Sequence, residues 1–267
     1  MPATDVVDPG RAAERLVKCV REAGALALSM FRTPLRSWTK TGTSPVSEAD
    51  IAVDRLLRER LTAGDSFAWL SEESADDPVR LSARRVWVVD PIDGTRAYLA
   101  GLPDWAVSAA LVEDGRPIAG CLFAPVTDEL FTAAKGHGAT RNGIAIAATA
   151  GASLAESRIV GPKGFLERLA AVAPPFAVLP RGNSLALRIA RVAQGVFDVA
   201  IAGSSSHDWD LAAADLLVHE AGGALTSVDG TAVIYNGAEP RHGLLVAAGR
   251  NRHAALIDLI RDRLIAT

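Results

Sequence analysis

Residues Trp105 to Gly143 constrain the fold more than any other stretch of the chain. They hold apolar runs at Trp105–Val112, Pro117–Phe123 and Glu129–Ala134, separated by Asp114-Gly115 and a turn at Pro125, and closed by Arg141-Asn142-Gly143. Asp-Gly and Asn-Gly tolerate the positive φ that tight hairpins require at both central residues. The segment therefore predicts an antiparallel meander. Upstream, Arg11 to Phe31 sets Leu16, Val17, Val20, Ala23, Leu26 and Ala27 on one helical face and stops at Thr33-Pro34. A polar loop, Thr39 to Pro45, leads to Ser47, an N-cap with Asp50 three residues on as its acidic capping-box partner. The helix that follows has Ile51, Val53, Leu56, Leu57 and Leu61 as its apolar positions. Short strands are predicted at Phe67–Leu70 and Val86–Val89. This half reads as helices packed on an antiparallel sheet.

The second half alternates instead. Arg158–Val160, Phe176–Leu179, Val196–Ile201, Ala224–Ser227 and Gly243–Ala248 read as strands, with helical runs at Gly164–Val172, Ser184–Ala193, Asp208–Ala221 and Ala254–Ile265. Such alternation predicts an α/β layer. A run of small residues at Thr149–Ser153 marks the expected boundary, giving an α+β unit over 1–150 and an α/β unit over 151–267.

Composition narrows the function classes. The chain has 267 residues, 49% hydrophobic and 22% charged, which is enough apolar material for a large core. A net charge of -3 gives no broad positive field, so neither nucleic acid nor an anionic membrane is an expected partner. No apolar run approaches the roughly 18–20 residues that cross a bilayer. Met1 to Gly10 lacks the apolar core of a secretory signal, and Cys19 and Cys121 have no partners at ligand spacing. Two buried reduced thiols and a cytoplasmic location are the expectation.

The chemistry lies in carboxylates at strand ends. Val86–Val89 delivers Asp90 at its end and Asp93 after a turn in Asp90-Pro91-Ile92-Asp93-Gly94-Thr95. Pro91 fixes the backbone, and Gly94 permits an unusual dihedral or a close approach by a ligand. Two acids on a rigid turn suit a hard cation such as magnesium, which takes oxygen ligands in near-octahedral array. Thr95, opening a short helix, offers an N–H and a hydroxyl to a phosphate oxygen. Glu72-Glu73 follows another strand, and Trp209-Asp210 opens a helix. Each of these alone is equally an ordinary loop acid or helix cap, and Asp50 alone is equally a cap.

Taken in order, Asp50, Glu72-Glu73, Asp90-Pro-Ile-Asp93-Gly-Thr95 and Trp209-Asp210-Leu-Ala-Ala213 closely resemble the signature of the inositol monophosphatase family. The resemblance runs from about Lys40 to Gly223 and takes in the Gly138–Gly143 hairpin and the Glu220-Ala221-Gly222-Gly223 helix end. It implies a layered αβαβα fold and Mg2+-dependent hydrolysis of a small phosphomonoester, with two or three ions. Glu72, Asp90 and the Ile92 carbonyl are implied to hold one ion, and Asp90, Asp93 and Asp210 another. Asp93, Gly94, Thr95 and Asp210 are implied to meet substrate, and Asp50, paired with the Thr95 hydroxyl, to orient the nucleophilic water alongside Glu72. Glu73 and Trp209 are supporting residues. Lithium sensitivity and a homodimer are further implications.

The metal signature does not choose a substrate. Inositol-selective members commonly carry an acid seven positions before the Asp of the Trp-Asp motif, where Gly203 stands here. The stretch Gly203-Ser-Ser-Ser-His207-Asp-Trp-Asp210 looks more like the bisphosphate nucleotidase branch. 3'-Phosphoadenosine 5'-phosphate is therefore the expected substrate, ahead of inositol monophosphate and histidinol phosphate. The non-enzymatic alternative is a regulatory binding protein of the transcription or ribosome machinery. His207 is read as a helix-start residue and Lys40 as a solvated loop lysine, while Arg181-Gly182-Asn183-Ser184 opens a helix that could reach substrate.

Overall fold

The computed structural model describes residues 7–40 and 45–265. Residues 41–44 of the polar loop, and residues 1–6 of the stretch read for a targeting signal, lie outside them. The first half opens with helices α1 (Pro9–Met30) and α2 (Glu48–Thr62). Its sheet comprises β1 (Ala68–Ser71), β2 (Arg85–Asp93), β3 (Ala106–Glu113), β4 (Arg116–Ala124), β5 (Glu129–Ala134), β6 (Gly138–Arg141) and β7 (Ile144–Ala145), with α3 (Thr95–Leu99) between β2 and β3. The seven strands run in sequence order, β1 parallel to β2 and every later pair antiparallel. Asp114 and Asn142 take the positive φ expected of the two hairpins, at 49° and 50°. The predicted meander is therefore present, with its turns where Asp-Gly and Asn-Gly place them.

Period-2 patterning splits this sheet between two cores. In β2, Trp87 and Val89 face α1 and α2, whereas Val86 and Val88 face the opposite way. In β3, Val107, Ala109 and Leu111 join the first group, and Ala106, Ala110 and Val112 the second. A strand covered on both sides has to be apolar throughout, which is why β2 is buried from end to end.

The second half contains β8 (Arg158–Val160), α4 (Lys163–Ala170), β9 (Ala177–Val178), α5 (Leu185–Ala193), β10 (Val199–Ala202), α6 (Asp208–Glu220), β11 (Gly223–Ser227), β12 (Leu245–Gly249) and α7 (Arg250–Ile260). Its sheet has the order β9-β8-β10-β12-β11, with parallel pairs at β8–β9 and β8–β10 and antiparallel pairs beyond. Helices α5 and α6 fill the space between the two sheets. On the far face Phe165, Leu166 and Leu169 of α4 and Leu256, Ile257 and Ile260 of α7 pack on Ile159, Val199, Ile201 and Val246. The layers are thus α, β, α, β, α, the layered fold expected from the sequence.

The middle of helix α6, from Leu211 to Val218, is buried all round because sheets cover it on both sides, which suits its Leu-Ala-Ala-Ala run. Gly120 of β4 makes the close approach possible: a Cβ there would lie 3.0 Å from Ala213 Cα. Cys19 and Cys121 are buried free thiols, as read. Some boundaries differ from expectation. The helix expected at Ala254 begins at Arg250 and continues into a π-helical turn over Arg261–Ile265. Ser37–Thr39 and Pro45–Ser47, which flank and overlap the ends of the loop expected over Thr39–Pro45, form a small antiparallel ribbon. It is short, and Ser37–Thr39 is exposed, so no alternating apolar signal announces it. Among the described residues no helix is long and apolar enough to cross a membrane.

Candidate active site

The β2–α3 turn is the centre of the site. β2 carries Asp90 and Asp93 to its end, and a bulge between them turns both toward one side of the sheet. Gly94 then takes φ 100°, and a Cβ at that position would lie 2.8 Å from the Asp104 carbonyl oxygen. Only glycine meets both conditions without strain. Thr95 follows as the first residue of α3, its hydroxyl donating to Asp50 Oδ1 at 3.1 Å and to the Ile92 carbonyl at 3.0 Å. Asp50 is itself fixed by the Ser47 N–H at 2.8 Å, so the N-cap of α2 orients the Thr95 hydroxyl. One turn along α2, Asp54 accepts from Ser71 and Ser74 and ties down the loop that bears Glu72 and Glu73.

Helix α6 supplies the third acid. Asp210 sits in its first turn and accepts the His207 N–H at 2.7 Å. Oxygens of Asp90, Asp93 and Asp210 all lie within 4.8 Å of one another. Glu72 opens onto the same cleft but falls outside that spacing, with Lys40 Nζ 3.6 Å from its carboxylate. The cleft, about 810 Å³ in volume, is also lined by Ile92, Gly94, Thr95, Trp209 and Gly203. Asp50 and Glu73 stand behind it rather than on its wall. His207 stacks on Trp209 with centroids 4.7 Å apart and rings 4° from parallel.

So many buried acids disfavour their own ionisation. Burial raises Asp90 well above the ordinary carboxylate range, and Glu72, Asp93 and Asp210 add to the effect. Burial pushes Glu72 up to about 8, with Lys40 opposing and Asp210 adding. Asp93 is pushed up to about 7 by burial and then by Asp210, against hydrogen bonds from Ser184, Ala186 and Leu185. A dication bound there relieves this repulsion. The oxygen-only donor set, with neither thiolate nor imidazole in the cluster, fits a hard ion.

Several contributors escaped the sequence reading. Lys40, expected in solvent, is half-buried, pairing with Glu73 at 2.6 Å and donating to the Glu72 carbonyl at 3.0 Å. Ser184 caps α5 and also donates to Asp93, while the Leu185 and Ala186 N–H groups reach the same carboxylate at 3.2 and 2.7 Å. Asp104 accepts the Asn183 N–H and, at 3.4 Å, that of Ser184, holding the α5 entry loop in place. The sequence marks Arg181–Ser184 as a helix opening that could reach substrate, but nothing in it shows that this opening donates to Asp93. The Glu220 helix end and the Gly138 hairpin prove to be joined, because Glu220 accepts the Gly136 and Gly138 N–H groups at 2.9 and 2.8 Å.

A carboxylate cluster suited to hard cations, set between two mixed sheets, fits a metal-dependent phosphomonoester hydrolase. The profile of the Inositol monophosphatase family matches residues 11–264, and the chain belongs to that family. It is 37% identical over 228 residues to a histidinol-phosphatase of Mycobacterium tuberculosis, covering 79% of this chain and 85% of that protein. An inositol-1-monophosphatase of Rhizobium meliloti is 35% identical over 223 residues, covering 79% of each. Among solved structures, the extragenic suppressor protein SuhB of Bartonella henselae superposes with a TM-score of 0.83 at 28% identity, covering 94% of this chain and 98% of that one.

Proposed function

We propose that the chain hydrolyses a small phosphomonoester with magnesium as its cation, and that its substrate is 3'-phosphoadenosine 5'-phosphate. Glu72, Asp90 and the Ile92 carbonyl would hold one ion; Asp90, Asp93 and Asp210 would hold a second. When bound, such ions supply an activated water and offset charge on the leaving oxygen. The chain's own groups do the positioning. Gly94 and Thr95 offer backbone N–H groups to the phosphoryl oxygens, and Asp50, through the Thr95 hydroxyl, orients the attacking water together with Glu72. Glu73 holds Lys40 beside that acid, and Trp209, stacked on His207, forms a flat wall of the cleft.

The substrate choice rests on Gly203. It lines the cleft, and a Cβ built on it would touch only Pro162 Cγ, at 3.9 Å. Glycine accepts no hydroxyl hydrogen bond from an inositol ring and leaves room for a larger leaving group. The names of the two relatives support inositol 1-phosphate and histidinol phosphate as the competing substrates. The complete acid set speaks against a purely regulatory binding protein. A homodimer acting in the cytoplasm completes the proposal.

The test is a panel of these three phosphomonoesters assayed with magnesium and with EDTA. The proposal expects magnesium-dependent turnover with the highest kcat/KM on the bisphosphate. A higher value for inositol 1-phosphate or histidinol phosphate overturns the substrate. Folded protein inert toward all three overturns the activity.

A further inference from the structure

Arg188 lies on α5 one turn beyond Ser184, and long helical side chains run back over the preceding turn. That direction leads to the cleft, which Arg188 lines. The residue is 4% exposed, and its Nε and Nη1 are buried without any hydrogen-bond partner. Among the described residues no carboxylate lies within ion-pair distance of it. A buried guanidinium left this way is costly, and native structures complete such groups.

The neighbouring charges do not complete it. Burial, and then Arg181 at the mouth of the same cleft, push Arg188 down to about 10. Asp93, Asp104 and Asp210 oppose that effect, but each is engaged elsewhere. Asp93 accepts from the α5 entrance, Asp104 from Asn183 and Ser184, and Asp210 from the His207 N–H. Two of the three are the proposed cation ligands. None of these acids completes Arg188, and an anionic group of a ligand in the cleft would do so.

We propose that Arg188, with Arg181 at the entrance, binds a second anionic group of the substrate, carried on the leaving alcohol. This rests on the reading of the acid cluster as a phosphomonoesterase. The phosphoryl group being cleaved already has the cation ligands and the Gly94 and Thr95 amides. A planar guanidinium matches a phosphate or carboxylate through paired N–H donors, and burial strengthens each bond. Arg188 thus selects doubly anionic substrates and disfavours those bearing an ammonium.

A matched pair of substrates tests this: a nucleoside 3',5'-bisphosphate and the same nucleoside 3'-monophosphate, at saturating magnesium. The wild type should prefer the bisphosphate by at least about ten-fold in kcat/KM, the worth of one good charged contact. Arg188→Met should lose most of that preference, chiefly through KM, and Arg188→Lys should keep part of it. The melting temperature of Arg188→Met should equal or exceed that of the wild type, since an uncompensated buried charge is gone; a purely structural arginine would lower it. Equal kcat/KM for the two substrates in the wild type overturns the inference while leaving the phosphatase reading intact. An equal fall on both substrates in Arg188→Met overturns it too. Magnesium-independent inertness toward both, and toward p-nitrophenyl phosphate, sinks the phosphatase reading and the inference with it.

Discussion

Removing the cation should make the protein less stable as the pH rises, which is the reverse of the usual behaviour of paired carboxylates. Asp93 is raised to about 7 and Glu72 to about 8, in each case by burial first and by the charge of Asp210 as well. In the unfolded chain both ionise near pH 4. Between those limits the folded state binds more protons than the unfolded state, so unfolding becomes easier with increasing pH. From pH 5 to pH 8 either group alone accounts for about 3 kcal/mol, at about 1.4 kcal/mol for each unit of displaced ionisation. The two share one field and do not simply add. At roughly 2–4 °C per kcal/mol for a chain of this size, metal-free protein should lose about 10 °C in Tm over that range. Magnesium should restore most of the loss at pH 8 and little at pH 5, where protons compete for the same oxygens. Melting curves in EDTA and in magnesium, taken in half-unit steps of pH, give both quantities. A metal-free Tm that is flat or rising between pH 5 and 8 would refute the assigned cluster.

Asp93→Asn keeps the shape of the turn but removes a charge from the proposed cation site; kcat/KM should fall by several orders of magnitude with the far-UV circular dichroism unchanged, and near-normal turnover would overturn the site. Ser184→Ala removes one of three donors to Asp93, and activity should drop about ten-fold with a weaker apparent affinity for magnesium, as the loss of an orienting contact to a metal ligand predicts. Lithium should inhibit by competing for one of the cation positions, an effect read as reduced turnover that added magnesium modulates.

The layered fold was legible because turn chemistry and helical periodicity survive in the chain. Apolar runs punctuated by Asp-Gly and Asn-Gly turns define the meander from β3 to β7, and the 3.6-residue period defines α1 and α2. The acids were legible for a different reason: Asp90, Asp93 and Asp210 stand at strand or helix ends, where a side chain can face a cleft. What escaped was long-range and side-chain based. Ser184 meets Asp93 across 91 positions, and no local pattern records that the α5 entry loop returns to the β2 turn. Lys40 looked solvent-exposed because its neighbours in sequence are polar. Its burial comes from Glu72 and Glu73 folding over it. Arg188 stands in an apolar helical stripe, and only the packed structure reveals that its guanidinium has no partner.

Helix α6 is gripped by both sheets and presents Asp210 at its first turn. A methyl group added at Gly120, in the middle of β4, would press on the Ala213 backbone and transmit a displacement along the helix axis to that acid. Packing inside this sheet is therefore coupled to the position of an acid in the cleft, since Gly120 meets Ala213 one helical turn from Asp210.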